Sequence, residues 1–149
     1  MKQLKVDAIK NGTVIDHIPG GKGMRVADLI HIEGENVAMI GISLNSKKVG
    51  KKDIIKIESR ELKEEEINSI ALIAPSATIT IIKDFEVVRK VTAHIPETIV
   101  GMIRCPNPKC ITNSEIIDSN FKLTDKEPLR VRCYYCEKKY SIEEVKIKI

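Results

Sequence analysis

Hydrophobic and polar positions alternate along much of the first 91 residues, and this period of two predicts β-strands. The run at residues 37–44 is mostly apolar instead, which is typical of a buried strand. Asn11-Gly12 predicts a turn, and residues 83–85 predict a hairpin between two β-branched runs. The segments predicted as strands are residues 4–9, 13–15, 37–44, 53–58, 78–82 and 86–91.

Two other segments follow the helical period. Residues 24–32 predict a short helix that ends before Gly34, and residues 62–74 predict a longer one. Acidic residues fill the first turn of the longer helix, where the helix dipole favours negative charge, and Pro75 blocks its continuation. Its apolar stripe consists of Ile67, Ile70, Ala71 and Ala74. Two helices on one face of a mostly antiparallel sheet predict an α+β sandwich close to the ferredoxin-like fold.

All the cysteines of the chain lie in its last third, in the pattern Cys-x4-Cys, 22 residues, Cys-x2-Cys. Two short loops of this kind can each bring two thiolates to one tetrahedral Zn²⁺, and a shell of four thiolates leaves no position open for catalysis. No signal peptide precedes the first strand, so we expect a reducing compartment, in which a metal site is favoured over two disulfides. The predicted ligands of one structural zinc are Cys105, Cys110, Cys133 and Cys136.

Composition adds limits to this picture. The 149 residues are 42% hydrophobic and 31% charged, as in a globular protein, and no apolar run is long enough to span a bilayer. We predict a first domain over residues 1–92, a linker over 93–103 and a rubredoxin-like or zinc-ribbon β domain over 104–149. A module of that size needs its metal to stay folded. The net charge of +4 is spread over both domains, which weakens a nucleic-acid hypothesis.

No set of nucleophile, base and orienting residue can be assembled from the pattern. The run Gly20-Gly21-Lys22-Gly23 lacks the frame of a phosphate-binding P-loop. Two classes of function remain open from the residues alone. One is a non-enzymatic regulatory or interaction subunit that binds an anionic ligand through its first domain and a protein through its second. The other is a zinc-ribbon protein that binds nucleic acid.

A family resemblance narrows these alternatives. Over essentially its whole length, the chain resembles the regulatory chains of aspartate carbamoyltransferase. The segments that carry the resemblance are GTVIDHIP (12–19), GKKDIIKIE (50–58), ALIAP (71–75), EVV (86–88), IPE (95–97), CPNPKCI (105–111) and CYYCE (133–137).

The resemblance implies a non-catalytic chain of the cytoplasm. Residues 1–92 would bind the effectors CTP, ATP and UTP, which Mg²⁺ could accompany, and the zinc domain would dock on catalytic chains. Family members pair as regulatory dimers that bridge catalytic trimers, and they control carbamoyl transfer to aspartate in pyrimidine synthesis. Neither nucleic acid nor membrane is an expected partner.

The resemblance also implies a nucleotide site. The strand whose backbone would read the base comprises Val6, Asp7, Ala8 and Ile9. Asp16 would lie near the ribose and His17 near the phosphates. Lys56 and Lys90 would hold the ribose or base side and the triphosphate, with Lys52 as a further candidate for phosphate contact. The pocket walls would be Ile54, Ile82, Phe85 and Val87. Thr80 departs from the usual Asn of the family and offers a hydroxyl in place of an amide.

Overall fold

Strands and helices alternate along the first part of the chain. The computed structural model describes residues 8–32, 34, 36–47 and 50–148, and it divides the chain into two compact units, Met1–Ala93 and His94–Ile149. In the first unit the described elements are β1 (Gly12–Pro19), α1 (Gly23–Leu29), β2 (Ala38–Ser46), β3 (Gly50–Glu58), α2 (Glu64–Ile73), β4 (Thr78–Lys83) and β5 (Glu86–Thr92).

The strands form one antiparallel sheet in the order β2-β3-β1-β4-β5. The first four strands and the two intervening helices follow the βαββαβ order of a ferredoxin-like sandwich, and β5 adds one strand beside β4. Alternate residues of the central strands are fully buried on one face of this sheet. With the apolar residues of the helices they form the core, whose largest members include Ile15, Ile55, Ile57, Ile70, Leu72, Ile79 and Ile81. The predicted α+β sandwich is confirmed.

Three local predictions need correction or restriction. The turn expected at Asn11-Gly12 is only a bend at Lys10 and Asn11, since Gly12 already begins β1. A Cβ atom on Gly12 would lie 2.0 Å from the carbonyl oxygen of Ile57, so only glycine allows this approach. The strand expected to be buried at residues 37–44 is β2, at the edge of the sheet that the described residues form, and its Ile42 remains 52% exposed. Of the strand expected at residues 4–9, residues 4–7 lie outside the described chain, and Ala8 and Ile9 have no strand geometry.

The hairpin expected at residues 83–85 is confirmed. Asp84 and Phe85 connect β4 to β5, and both adopt positive φ angles, of 51° and 63°. Two consecutive residues with positive φ make the kind of tight turn that matches the twist of a β-hairpin.

The second unit is a small β domain. Its described elements are β6 (Thr98–Val100), β7 (Ile103–Arg104), α3 (Ile111–Ser114), β8 (Asn120–Lys126), β9 (Leu129–Cys133), β10 (Lys139–Ser141), a 3₁₀ turn (Ile142–Glu144) and β11 (Lys146–Ile147). One antiparallel sheet has the order β10-β9-β8-β6, and β7 pairs with β11. The expected linker at residues 93–103 therefore contains strand structure from Thr98 onward. None of the described helices is long and apolar enough to cross a membrane.

Candidate functional sites

The cysteines lie at the ends of short elements of the second unit. Cys105 directly follows β7, and Cys110 immediately precedes α3. Cys133 is the last residue of β9, and Cys136 lies in the turn that leads to β10. The sheet and the short helix thus bring two loops, each with two thiols, to one place.

The geometry of the cluster suits a tetrahedral metal ion. The four Sγ atoms all lie within 4.8 Å of one another, and none belongs to a disulfide. The Sγ atoms of Cys105 and Cys136 are 3.6 Å apart, and those of Cys110 and Cys133 are 3.7 Å apart. Four sulfurs bound tetrahedrally at a Zn–S length of roughly 2.3 Å would be separated by roughly 3.8 Å. The residues present therefore fit a closed four-thiolate site.

Hydrogen bonds hold the first cysteine loop in shape. The side-chain amide of Asn113 donates to the carbonyl oxygens of Cys105 (2.9 Å) and Asn107 (2.7 Å), and the backbone N–H of Cys110 donates to Asn107 (3.0 Å). Asn113 was not predicted as part of the site, since nothing local in its sequence marks it. In the second loop, the N–H of Glu137 donates to the carbonyl of Cys133 (2.9 Å).

The thiols of the cluster have unequal proton affinities. Burial raises the pKa of Cys105 to about 12. Burial also opposes ionisation of Cys136, but hydrogen bonds from the backbone of Lys138 and the side chain of Asn107 lower its pKa to about 7. Because metal ligation requires thiolates, a bound cation must displace the proton of Cys105, and metal binding to this cluster is expected to weaken as the pH falls.

A second group of candidate residues lies on the face of the first sheet opposite the core. Directly opposed pairs in the registers of neighbouring strands form one row across this face, namely Met39, Lys56, Val14, Thr80 and Lys90. Neighbouring strands are roughly 4.8 Å apart, so the Cα atoms of Lys56 and Lys90 are separated by roughly 14 Å. Both lysines therefore stand on the same open face with Thr80 between them.

Apolar residues surround this row. Alternation along the strands puts Ile54 and Ile82 on the same face, and Val87 opposes Ile82 across the β4–β5 pair. Lys56 also lines an open cleft of about 430 Å³ together with Ala8, Ile9, Met39 and Phe85, among other residues. That volume is in the range of small-molecule sites. Met39 was not predicted, although the period-two pattern of β2 could have indicated it.

An ion pair lies at one end of the same face. The register of β1 against β3 shifts between Ile15 and Ile18, and this bulge contains Asp16 and His17. Lys52 Nζ lies 2.9 Å from Asp16 Oδ1. Burial alone would raise the pKa of Asp16, but the hydrogen bonds from Lys52 and from the N–H of His17 outweigh it and lower the pKa. The carboxylate is therefore ionised at neutral pH.

Not every predicted nucleotide residue joins this arrangement. Val6 and Asp7 lie outside the described residues. The ring of His17 is engaged by Thr78, with Nδ1 3.2 Å from Oγ1. Asp53 was not predicted to be functional, yet it is buried beside Lys52, and its carboxylate accepts hydrogen bonds from the backbone N–H groups of Gly21, Gly23 and Ser43.

Comparison with known proteins assigns the family. The family model described as "Aspartate carbamoyltransferase regulatory chain, allosteric domain" matches residues 4–94. The model described as "Aspartate carbamoyltransferase regulatory chain, metal binding domain" matches residues 97–146. The chain belongs to the aspartate carbamoyltransferase regulatory chain family. It is therefore a regulatory and non-catalytic chain, as expected, and allosteric regulation in pyrimidine biosynthesis follows from the family.

Individual members of the family are similar over nearly their full length. The regulatory chain of Thermococcus onnurineus (strain NA1) is 50% identical over 147 residues, which cover 97% of both chains. That of Pyrococcus abyssi (strain GE5 / Orsay) is 48% identical over 148 residues, again with 97% of both chains. That of Methanocaldococcus jannaschii (strain ATCC 43067 / DSM 2661 / JAL-1 / JCM 10045 / NBRC 100440) is 51% identical over 138 residues, with 93% of both chains. The match to a metal binding domain agrees with the cysteine cluster and supports a structural metal in the second unit.

Proposed function

We propose that this chain binds nucleoside triphosphates on the open face of its first sheet and transmits their presence to catalytic chains of aspartate carbamoyltransferase. CTP, ATP and UTP are the proposed effectors, and Mg²⁺ could accompany the triphosphate. The first unit is the proposed nucleotide-binding domain, and the second is the proposed docking domain. The family model describes residues 4–94 as an allosteric domain, and the proposal names the ligand of that domain and the surface that binds it.

One observation carries the nucleotide proposal. Lys56 and Lys90 stand on one open sheet face, in one row, with Thr80 between them and apolar walls around them. A nucleotide is a polyanion joined to a flat, partly apolar base. Mobile ammonium groups suit the phosphates, and the apolar residues suit the base and sugar. The cleft beside Lys56 provides room for the base end of such a ligand.

Asp16 and Lys52 extend the proposed site. The carboxylate of Asp16 can accept hydrogen bonds from ribose hydroxyls. Lys52 is already paired with Asp16, so it can contact phosphate only by sharing or leaving that pair. His17 is the weakest member of the proposed set, because its ring already has a hydrogen-bond partner in Thr78.

Calorimetric titration with CTP tests this proposal. Lys90→Ala should weaken binding at least about tenfold, since hydrogen bonds to a charged group contribute about 1.5–3 kcal/mol. Lys83→Ala is a matched control, because Lys83 is an exposed lysine of the adjacent strand whose alternation directs it to the other face. Metal content should stay unchanged in both variants. An affinity for CTP that Lys90→Ala leaves intact would contradict the proposal.

The metal of the second unit is proposed to be one structural Zn²⁺. Zn²⁺ has no electronic preference for one coordination geometry, so four thiolates can surround it as a tetrahedron without straining the loops. A closed four-thiolate site of this kind contributes folding free energy rather than catalysis. The four cysteines would hold it, and Asn113 would keep the first loop in place for it.

Catalytic chains are the proposed partners of the second unit, and a second copy of the chain is the proposed partner within a regulatory dimer. The name of the relatives, regulatory chain of aspartate carbamoyltransferase, supports the first of these. A location in the cytoplasm belongs to the same proposal. Transmission of the effector signal can be tested by measuring the activity of a catalytic trimer with and without this chain, each in the presence and absence of CTP. CTP should change the activity only when the chain is present.

A further inference from the structure

One face of the second unit's sheet carries an unusual row of positive charge. The registers of β8, β9 and β10 set Lys122 directly opposite Arg132, and Arg132 directly opposite Lys139. All three side chains are exposed. The alternate residues of these strands, such as Phe121, Val131 and Cys133, are buried on the other face. The cations therefore share the outer face of the sheet.

The charges of this face are only partly balanced within the chain. Arg130 adds a fourth cation next to the row, and it opposes Asp125. Asp125 also pairs with Lys139, whose Nζ lies 2.9 Å from Oδ2. Among the described residues, Lys122 and Arg132 form no ion pair. Like charges directly opposite each other across strands destabilise a sheet. The opposition of Lys122 and Arg132 therefore costs stability in the isolated chain, and negative charge from a partner would relieve it.

We propose that this basic face (Lys122, Arg130, Arg132 and Lys139) docks on an acidic surface of the catalytic chain. The inference rests on the proposed function, since it names the chemistry by which the second unit meets its partner. Charge complementarity of this kind speeds association and selects the partner, and it makes binding depend on salt.

The composition of the face favours a protein surface over nucleic acid. Single-stranded nucleic acid is held by aromatic side chains interleaved with cations. The described strand positions between these four cations carry no aromatic side chain on this face, and the exposed Tyr134 lies beyond them, where its N–H donates to the carbonyl oxygen of Asn120 (2.8 Å). Tyr134 and Tyr135 lie in the second cysteine loop and pack against each other edge to face. The face also includes the carboxylate of Asp125, which would repel a phosphate but can accept a hydrogen bond from a protein donor.

Two measurements on the same variant test the proposal. Arg132→Glu places an acid between Lys122 and Lys139, so it should leave the melting temperature of the isolated chain unchanged or raise it. The same substitution should weaken binding to the cognate catalytic trimer. The double variant Lys122→Glu/Arg132→Glu should weaken that binding at least about tenfold. For the wild-type chain, affinity should fall as salt is raised, and the double variant should lose most of this dependence.

Controls separate this inference from the proposed function. Lys146→Glu/Lys148→Glu changes the net charge equally but lies outside the basic face, and it should stay within about twofold of wild-type affinity. If the wild-type chain binds the trimer and the basic-face double variant binds equally well, the inference is overturned and the proposed function stands. If the wild-type chain does not bind the trimer at any salt concentration, both fail. Tight, salt-sensitive binding of random duplex DNA that depends on Arg132, with trimer binding unaffected, would assign the face to nucleic acid and overturn the inference.

Discussion

A single buried carboxylate organises one end of the first unit. Asp53 Oδ2 accepts hydrogen bonds from the N–H groups of Gly21 (3.1 Å) and Gly23 (2.8 Å), and Oδ1 accepts one from Ser43 (2.9 Å). Three bonds to backbone donors satisfy a buried charge that would otherwise be costly. Asp53 thereby fixes the loop before α1 and the irregularity in β2. It also fixes the backbone next to Lys52, whose pairing with Asp16 depends on that position.

Gly23 is the residue at which this arrangement can be tested. A Cβ atom on Gly23 would lie 2.8 Å from both Cβ and Oδ2 of Asp53. Gly23→Ala should therefore lower the free energy of unfolding by about 1–3 kcal/mol, as overpacking does. Gly34→Ala is the control, because no heavy atom of the described residues lies within 4 Å of its ideal Cβ. Equal effects of the two substitutions in urea denaturation would contradict the role given to Asp53.

At the scale of elements, hydrogen bonds of Arg60 and Glu66 hold the first turn of α2 in place. Arg60 Nη2 donates to the carbonyl oxygen of Ile30 and to Oε2 of Glu66, both at 2.6 Å. The other carboxylate oxygen of Glu66 accepts the backbone N–H of Lys63 at 3.1 Å, which caps the helix. The same residues thus join the end of α1 to the start of α2, and both helices cover the core face of the sheet.

Removing this link should cost more than removing a surface pair. Arg60→Ala leaves the Ile30 carbonyl and the mostly buried Glu66 without their partner, so the free energy of unfolding should fall by about 2 kcal/mol. Arg89 pairs with Glu64 in the same turn of α2, but both side chains are about half exposed. Arg89→Ala should therefore cost less than about 0.5 kcal/mol. Chemical denaturation of the two variants measures both losses of unfolding free energy. Similar losses would contradict the prediction that the buried ion pair contributes more than the exposed one.

At the scale of the whole molecule, the two units depend on different sources of stability. The first has a continuous aliphatic core under its sheet, whereas the second has few fully buried side chains, among them Ile99, Ile103 and Phe121. Some 50 residues bury little apolar surface, and a bound metal typically contributes about 10–16 kcal/mol to such a fold.

Removal of the metal should therefore unfold one unit and spare the other. A strong chelator should abolish amide protection in β8 and β9, while protection in β1, β3 and β4 persists. Hydrogen exchange read by mass spectrometry distinguishes the two regions. Binding to catalytic trimers should be lost with the second unit, but CTP affinity should remain. Continued protection of β8 and β9 in metal-free protein would refute a structural role for the ion.

Some features of the fold and site follow from local patterns alone. The Cys-x4-Cys and Cys-x2-Cys loops are set by short spacings, so the cluster was predicted correctly. The helix ending before Pro75 and the hairpin at Asp84 and Phe85 also depend on neighbouring residues only. The prediction of a buried strand from the apolar run of β2 was wrong, because hydrophobicity does not tell whether a strand has one neighbouring strand or two. The nucleotide residues remain a prediction from family resemblance, supported by their placement.

Sequence alone indicates where most strands and both helices of the first unit lie and which cysteines share a loop, since these depend on period and spacing along a short stretch of chain. It does not specify register, because pairing between distant strands is decided by how the whole sheet closes. Only the tertiary structure brings Lys56, Thr80 and Lys90 into one row, gives Asp53 its three backbone donors and sets Arg132 between two other cations. Each of these arrangements joins residues from different strands or loops, so no pattern within one short segment of the sequence could predict it.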